Sequence, residues 1–423
     1  MKHKTYQSYQ NSSIEWIGNI PKHWQIAQLK TTINSFTMGS TPNTNNRKYW
    51  ANDPQEGIPW VLISDITASN IYLDTTEKYL SREGLISKNL EILEPNTVLF
   101  SIYASIGKVA ILTMPAVTNQ AIVGLKPNYN LITSEFLYYA LTYSTTYLPY
   151  IYKSTTQKNL SLESIRDIPL PLPPVAEQEH ITSFLHTKLK QIDEVIEKKT
   201  QMIELLKEKN ERLILNTISK GLVSVCQMKP SNTNLGDIPE HWRVIKLKYL
   251  TKSIKSGDNP DFRVSKTDQV VPLYGANGII GYTDKANINA PVIVVGRVGS
   301  AGKIHLISEP AWVSDNALIA EVFLDLVDLS FLYYQLVVAN LSKMSSKSAQ
   351  PLITASHLAN CLVVLPPLEE QKEIARFLDK ETAKNNSLID KIEKSIARLE
   401  EYRYALISKA VTGKICLTPV LEL

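Results

Sequence analysis

The sequence predicts an α+β protein built from two similar globular domains and two long helices that pair as a coiled coil. Three observations predict this fold class. One short phrase occurs twice, a heptad of apolar residues follows each occurrence, and β-rich runs broken by glycine precede each one. The chain of 423 residues is also longer than one hydrophobic core usually organises, so two or more domains are expected.

The repeated phrase is "LPPVAEQEHITSFL" at 172–185 and "LPPLEEQKEIARFL" at 365–378. An offset of 193 aligns the copies, pairs Gln178 with Gln371 and continues without a gap for about 45 residues. The beginnings of the two halves match as well, as "IGNIPKHWQIAQLK" at 17–30 and "LGDIPEHWRVIKLK" at 235–248. The chain is therefore two copies of one unit, which is too few for a solenoid.

The helical segment of each unit follows a pair of prolines, which can precede a helix but cannot lie inside one. Its apolar residues recur at alternating steps of three and four, as in a coiled coil. The predicted seam consists of Ile192, Ile196, Ile203, Leu206, Leu213, Ile389, Ile392, Ile396, Leu399 and Leu406. The alternative is two separate amphipathic helices, each packed on its own domain. Mutual pairing is preferred because the seams are equivalent and neither helix buries its stripe alone.

Polar residues interrupt the predicted seam. Lys199 and Asn210 fall on it in the first copy, and Arg403 occupies the position equivalent to Asn210. Such residues can set the register of a coiled coil at a cost in stability.

The globular segments read as strands, turns and one short helix. "VLFSIYASIGKVAILTM" and "PVIVVGRVGSAGKIHLI" predict two strands joined by a tight turn, "YGANGIIGYTD" predicts another turn between strands, and "SEFLYYALT" predicts a helix. The loop "MGSTPNTNNRKYW" at 38–50 has no counterpart in the second half. Equal frameworks with unequal loops suggest one task performed on two different targets.

Composition narrows the class of protein. Hydrophobic content of 44% and charged content of 20% are ordinary for a globular protein, and a net charge of +4 does not by itself predict nucleic-acid binding. No apolar run is long enough to span a bilayer, and the first residues lack the apolar core of a secretion signal. Cys226, Cys361 and Cys416 form no CxxC pair, which argues against a zinc site or disulfide framework and fits a cytoplasmic location.

The motifs resemble those of one known family. "IPKHWQIAQLK", then "TTQKNLSLESIRDIPLPLPPVAEQEHI", then the same order again with "ALISKAVTGK" at the end, resembles the specificity (S) subunit of a type I restriction–modification system. The resemblance covers nearly the whole chain. It implies that each globular segment is a target-recognition domain that reads one half of a bipartite, asymmetric DNA site.

The resemblance also implies an assembly. The two helices would pair antiparallel, with a pseudo-twofold internal repeat, and would act as spacer and as docking surface for two methyltransferase (M) subunits. Restriction (R) subunits would join that core. S-adenosylmethionine, ATP and Mg²⁺ are expected in the partner subunits, with no cofactor and no metal in this chain. The predicted bounds are 1–170 and 223–363 for the recognition domains, 171–222 and 364–414 for the spacer helices, and 415–423 for a tail.

Enzyme signatures were weighed against this interpretation. "NPDF" at 259–262 lacks the second proline of an adenine-methyltransferase motif, and no glycine-rich S-adenosylmethionine motif accompanies it. Glu197-Lys198-Lys199 has the spelling of a nuclease motif but lies on a charged helix, and "GRVGSAGK" at 296–303 has the wrong spacing for a phosphate loop. His23 and His241 each precede a Trp and are expected to be structural. No catalytic residue is predicted.

DNA reading needs hydrogen-bonding side chains on protruding loops, and backbone binding needs Lys, Arg and hydroxyl groups. Three loops in each half carry them. The candidates in the first half are Ser40, Asn43, Asn45, Arg47, Lys48, Tyr103, Ser105, Lys108, Thr156, Gln157 and Lys158. Those in the second half are Lys255, Arg263, Tyr274, Asn277, Arg297, Ser300, Lys303, Lys347 and Gln350. The ordinary explanation for any one of them is a solvated loop, but equivalent loops in both halves strengthen the group.

Two other functions remain open from the residues alone. One is a protein–protein scaffold, in which a coiled coil carries two ligand-binding domains without DNA. The other is a single-chain enzyme that combines recognition with methylation, which the missing motifs weaken.

Overall fold

A long helix starts directly after each of the two proline pairs. In the computed structural model the first long helix runs Val175–Lys220 and the second runs Leu368–Val411. The structure describes residues 4–53, 55–103, 105–145, 160–222, 227–231, 233–259, 271–289, 291–339, 341 and 352–417. The chain divides into unit 1 (Met1–Glu197 with Ser395–Leu423) and unit 2 (Lys198–Lys394). Each unit therefore holds one globular part and one portion of both long helices.

In the part of unit 1 that the structure describes there are four sheets and five short α-helices. The strands are β1 (Tyr9–Asn11), β2 (Asn19–Pro21), β3 (Gln25–Gln28), β4 (Ile33–Met38), β5 (Trp50–Ala51), β6 (Ile58–Val61), β7 (Tyr72–Leu73), β8 (Lys78–Leu80), β9 (Val98–Ser101), β10 (Val109–Leu112), β11 (Val117–Thr118), β12 (Ile122–Pro127) and β13 (Pro169–Leu172). The helices are α1 (Leu29–Thr32), α2 (Ile63–Ala68), α3 (Arg82–Ser87), α4 (Ser134–Ser144) and α5 (Leu162–Arg166), followed by the first long helix as α6. The largest sheet has the order β4-β12-β9-β10-β7.

Unit 2 repeats this plan, with fewer strands among its described residues. Its strands are β14 (Met228–Pro230), β15 (Asp237–Pro239), β16 (Arg243–Lys246), β17 (Thr251–Ser256), β18 (Val271–Gly275), β19 (Gly278–Thr283), β20 (Val292–Gly296), β21 (Ile304–Ile307), β22 (Trp312–Val313), β23 (Ala317–Val322) and β24 (Leu362–Leu365). Its helices are α7 (Leu329–Val338), α8 (Ala355–Ala359) and the second long helix as α9. The sheet β17-β23-β20-β21 matches β4-β12-β9-β10 strand for strand, and the pair β16-β24 matches β3-β13. These matches, with the hairpin of β18 and β19, confirm the internal repeat, the three predicted turns between strands and the short helix.

The two long helices run antiparallel inside each unit. In unit 1, Arg403 of the second helix forms an ion pair with Asp193 of the first, with Nε 3.4 Å from Oδ1. In unit 2, Asn210 of the first helix accepts a 2.6 Å hydrogen bond from Asn385 and donates one of 3.3 Å to Asn386. The mutual pairing of the helices is therefore the observed arrangement, and two of the predicted polar seam residues, Asn210 and Arg403, make contacts between them.

The predicted seam residues all lie away from solvent to some degree. Those buried most fully are Ile192, Ile203, Ile389, Ile392 and Leu406, while the others are partly buried. Around Ile192 the seam joins the main core of unit 1, because Leu189 and Ile192 share a cluster with Leu406 and residues of α4. The coiled coil is thus continuous with the globular core and does not stand apart from it.

A buried glutamine fastens each long helix to its globular part. Gln178 is fully buried, and its amide oxygen accepts from the Thr133 N–H at 2.9 Å while its amide nitrogen donates to Leu131 O at 2.8 Å and Pro173 O at 2.9 Å. In unit 2, Gln371 accepts from the Asp328 N–H at 2.9 Å and donates to Leu326 O and Pro366 O. Gln178 thereby holds the loop at the start of α4, and Gln371 holds the loop at the start of α7.

We expect Gln178→Leu to destabilise unit 1 by about 3 kcal/mol, because it keeps a buried side chain of similar size but removes the partner of the Thr133 N–H and of the Leu131 and Pro173 carbonyls. Gln371→Leu should have the same effect on unit 2. The control is Gln191→Leu, an exposed position on the same helix, which should change stability by at most about 0.5 kcal/mol. Differential scanning calorimetry of the full chain measures the loss. Equal melting curves for Gln178→Leu and Gln191→Leu would contradict the proposed anchor.

Candidate DNA interface

The candidate residues of unit 1 leave the large sheet at one end. Met38, the last residue of β4, pairs with Val123 of β12, and the neighbouring Ile122 pairs with Ser101, the last residue of β9. The loop after β4 and the turn between β9 and β10 therefore start from the same end of the sheet. Two of the predicted loops are brought together by strand register alone.

The turn between β9 and β10 is braced from below by Ser101. Its backbone pairs with Lys108 and Gly107, and its hydroxyl accepts from the Lys108 N–H at 2.8 Å and donates to Ser105 O at 2.5 Å. Ser105 and Lys108 are exposed, and Tyr103 is partly buried. The brace holds the backbone of the turn while these side chains remain free to face a ligand.

Unit 2 builds the same turn from different residues. Gly296 makes the two backbone bonds that Ser101 makes, to Lys303 at 2.7 Å and from Gly302 at 2.9 Å. Lys303 is exposed, and Ser300 is partly buried. The backbone geometry is therefore common to both units, although the bracing hydroxyl is present in only one.

One position in this turn differs sharply between the units. Ile102 donates its N–H to Ala121 O and accepts from the Leu160 N–H, whereas Arg297 makes the same bonds with Asn316 O and the Ile353 N–H. Ile102 is buried, but Arg297 is partly exposed, and its guanidinium lies 3.4 Å from Ser256 Oγ. The Arg297 Nε is buried without a partner among the described residues. An identical backbone position thus carries an apolar side chain in unit 1 and a guanidinium in unit 2.

The hairpin of β18 and β19 packs beside this turn. A Cβ built on Gly296 would lie 2.5 Å from Ala276 O, so the hairpin tip touches the end of β20. Asn277 at the tip is exposed, and the ring of Tyr274 lies 6.1 Å from that of His305. Burial lowers the pKa of His305, so this ring is neutral at neutral pH and adds no positive charge. Unit 2 therefore brings Tyr274, Asn277, Arg297, Ser300 and Lys303 to one end of its sheet.

The loop after β4 is held by two indole groups that the sequence analysis did not single out. Trp60 donates to Ser40 O at 3.2 Å and Trp50 donates to Asn43 O at 3.2 Å, and their rings pack edge to face at 4.8 Å. Asn43 also accepts from the Asn45 N–H. Asn43, Asn45, Arg47 and Lys48 remain exposed, and Ser40 is partly buried. The signal was available, since both Trp residues fall in or near the loop that has no counterpart.

An indole holds the equivalent segment of unit 2 from a different strand. Trp312 of β22 donates to Asp258 O at 3.0 Å, directly after Gly257. In unit 1 the corresponding glycine is Gly39, directly before Ser40. A Cβ at Gly39 would lie 2.0 Å from Thr118 O, and one at Gly257 would lie 2.2 Å from Val313 O. In both units the backbone at this glycine therefore passes too close to a neighbouring strand for any other residue.

The remaining candidates divide into two groups. Lys255 forms an exposed ion pair with Glu321, with Nζ 3.4 Å from Oε1, and so is already engaged. The others lie outside the described residues, namely Thr156, Gln157, Lys158, Arg263, Lys347 and Gln350.

The two histidines have a structural environment. His23 lies 2.9 Å from Glu177 Oε2, and His241 lies 2.9 Å from Glu370 Oε2. Each glutamate sits in the first turn of a long helix, beside the anchoring glutamine. Across the described residues, no group of three or more His, Cys, Asp or Glu side chains could hold a metal ion. None of the described helices has the length and apolar character needed to span a membrane.

The fold is that of solved specificity subunits. A chain from a structure of complex assembly and conformational transition of the type I R-M system matches with a TM-score of 0.72 at 18% identity, over 93% of this chain and 98% of that one. The HsdS subunit of Thermoanaerobacter tengcongensis matches with a TM-score of 0.50 at 16% identity, over 94% and 98%.

Sequence comparison gives the family. The chain belongs to the family described as type I restriction modification DNA specificity domain, whose model matches residues 21–205 and 239–398. The type I restriction enzyme MjaIX specificity subunit of Methanocaldococcus jannaschii is 30% identical over 251 residues, which span 57% of this chain and 55% of that relative. The EcoprrI specificity subunit of Escherichia coli is 24% identical over 373 residues, 85% of this chain and 88% of the relative.

We expect Trp60→Phe to loosen the loop after β4, because phenylalanine keeps an aromatic ring but cannot donate to Ser40 O. Hydrogen exchange of residues 40–48 should accelerate about tenfold, as the loss of about 1.4 kcal/mol of local stability implies. Trp312→Phe is the matched control and should leave residues 40–48 unchanged while accelerating the segment after Ser256. Unaltered exchange in Trp60→Phe would show that the indole bond does not hold the loop.

Proposed function

We propose that this chain is the sequence-specific DNA-binding subunit of a type I restriction–modification complex, and that each unit reads one half of a bipartite, asymmetric site. The observation that carries the proposal is the shared turn with unlike side chains. Base readout needs a constant platform with variable hydrogen-bonding groups, and Ile102 against Arg297 is such a variation. The family match favours this function over a coiled-coil scaffold without DNA.

Chemistry would come from partner subunits. This chain supplies the recognition surface, and methyltransferase and restriction subunits supply S-adenosylmethionine, ATP and Mg²⁺ sites for methylation of adenine and for cleavage. Two identical methyltransferase subunits need two equivalent docking positions. Val195 and Leu388 meet that need, because they share the 193-residue offset and both are exposed apolar residues, at 41% and 37%, on the long helices. The complex would act in the cytoplasm, where its DNA substrate is found.

Replacement of residues 31–168 by the equivalent segment of a relative should change one half of the recognised site and leave the other half unchanged. The junctions favour folding, because the segment begins after β3 and ends before β13, so this antiparallel pair stays intact. Methylation sequencing of a host that carries the chimera with its methyltransferase partner reads both halves. The reciprocal exchange of residues 249–361 is the control and should change the other half. A change in both halves from either exchange would refute the assignment of one unit to one half-site.

Arg297→Ile should relax or abolish recognition in one half-site only. The substitution installs the residue that unit 1 has at this position, and its two backbone hydrogen bonds do not depend on the side chain. Loss of a bidentate guanidinium contact with a base costs about 1–3 kcal/mol, or roughly five- to 150-fold in affinity for the site. The same methylation sequencing measures it, with Arg243→Ile on β16 as the exposed control. Full methylation of the original site by Arg297→Ile would show that Arg297 reads no base.

A further inference from the structure

Unit 1 contains a large open cleft that the DNA interface does not use. Its volume is about 1010 Å³, and it is lined by residues 68–77 of the globular part, by α4 and by both long helices. We name it the acidic cleft, because six carboxylates line it against two cationic side chains, Lys190 and Arg403. The carboxylates are Asp65, Asp74, Glu77, Asp193, Glu194 and Glu197.

Part of this negative charge is not neutralised within the protein. Asp65 accepts from the backbone N–H groups of Leu62 and Glu77, and Asp193 pairs with Arg403. The carboxylates of Asp74, Glu77 and Glu194 make no ion pair within 4.0 Å in the described parts of the chain. Such a surface repels the DNA backbone and attracts cations.

Tyr139, a residue that lines the cleft, has a buried hydroxyl without a partner in the described part of the chain. Tyr139 lines the cleft and is 1% exposed, and its hydroxyl makes no hydrogen bond with any described residue. Burial, and after it the neighbouring Tyr138, raises the pKa of this hydroxyl. A buried hydroxyl without a partner is costly, so this position favours a ligand that completes it.

The internal repeat shows what completion would look like. Tyr334 is the counterpart of Tyr139 in the phrase "FLYY", and its hydroxyl bonds to Asp379 at 2.8 Å and to Thr382 at 2.9 Å. The residues of the first long helix at the equivalent positions are His186 and Leu189. Unit 1 therefore has the tyrosine without the carboxylate and hydroxyl that satisfy it in unit 2.

The repeat also separates the cleft from the shared framework. At the 193-residue offset, Asp193 corresponds to Asn386 and Glu194 to Ser387. These two carboxylates thus belong to unit 1 alone. Their function differs from any function that both units share, such as docking of two identical partner subunits.

We propose that the acidic cleft binds one linear aliphatic polyamine, with ammonium groups paired to Asp74, Glu77 and Glu194 and one amine reaching the Tyr139 hydroxyl. Dispersed carboxylates suit an extended polycation better than a metal ion, and no group of described side chains could hold a metal. Ile71, Leu189 and Ile407 line the same cleft and provide apolar contacts for the methylene segments. Tyr72, which is 38% exposed, offers a ring face to an ammonium group.

Isothermal titration calorimetry of the full chain with spermidine, in the absence of DNA, tests the proposal. We expect saturable binding of one spermidine per chain. The double variant Asp74→Asn/Glu194→Gln should bind at least tenfold more weakly. The matched control Glu204→Gln/Glu393→Gln removes the same charge from exposed positions of the long helices outside the cleft and should bind within twofold of the unaltered chain. Equal weakening by both double variants, or no saturable binding, would overturn the proposal.

Tyr139→Phe gives an independent readout. Without spermidine this variant should melt no lower than the unaltered chain, because it removes an unpaired buried hydroxyl. With spermidine it should bind several-fold more weakly and show a smaller rise in melting temperature. Unchanged affinity would overturn the assigned hydroxyl contact. Displacement of spermidine by Mg²⁺ at matched ionic strength would show a divalent-cation site instead.

Discussion

The structure depends on the contact between the first turn of each long helix and the globular part before it. Gln178 and Gln371 are fully buried amides whose donors and acceptors are satisfied by backbone groups of two different loops. The two prolines before each long helix end the preceding strand and determine the residue at which the helix starts. Because a buried amide tolerates only one geometry, each helix leaves its domain in a defined direction. The repeated sequence segment therefore forms the same junction between long helix and globular part in both units.

The two units use different side chains to make equivalent contacts around this junction. Trp242 donates to Glu370 at 3.1 Å, whereas in unit 1 the Tyr6 hydroxyl donates to the equivalent Glu177 and the Trp24 indole N–H has no partner among the described residues. Burial, followed by the bond to Glu177, raises the pKa of Tyr6, so this hydroxyl keeps its proton. In both units one carboxylate oxygen contacts the equivalent histidine, His23 or His241, while the other oxygen accepts from a different donor. The position of the carboxylate and its histidine partner therefore persist, and only the second donor changes.

Much of this fold follows from local sequence rules. The repeat, the hairpins, the start of each long helix and the burial pattern of the seam depend on residues close together in the chain, where periodicity and proline chemistry act. The roles of Gln178 and Trp60 depend on contacts between residues far apart in the chain, which no local pattern encodes. Gln178 meets Thr133 across 45 positions, and Trp60 meets Ser40 across 20. Lys255 illustrates the same limit, since its pairing with Glu321 depends on sheet register. Loop residues that would read bases are the hardest to predict, because the ligand and not the packing of the core determines where their side chains lie.

The contact between the two long helices occurs at equivalent positions in both units but uses different residues. At equivalent positions the contact is Asp193 with Arg403 in unit 1 and Asn386 with Asn210 in unit 2. Both pairs join the two helices at this level, but they are exposed to solvent and contribute little stability on their own. Only the charged pair also contributes a carboxylate to the acidic cleft. In unit 1 the charge of Asp193 adds to the negative character of the acidic cleft, which is where we propose that a polyamine binds.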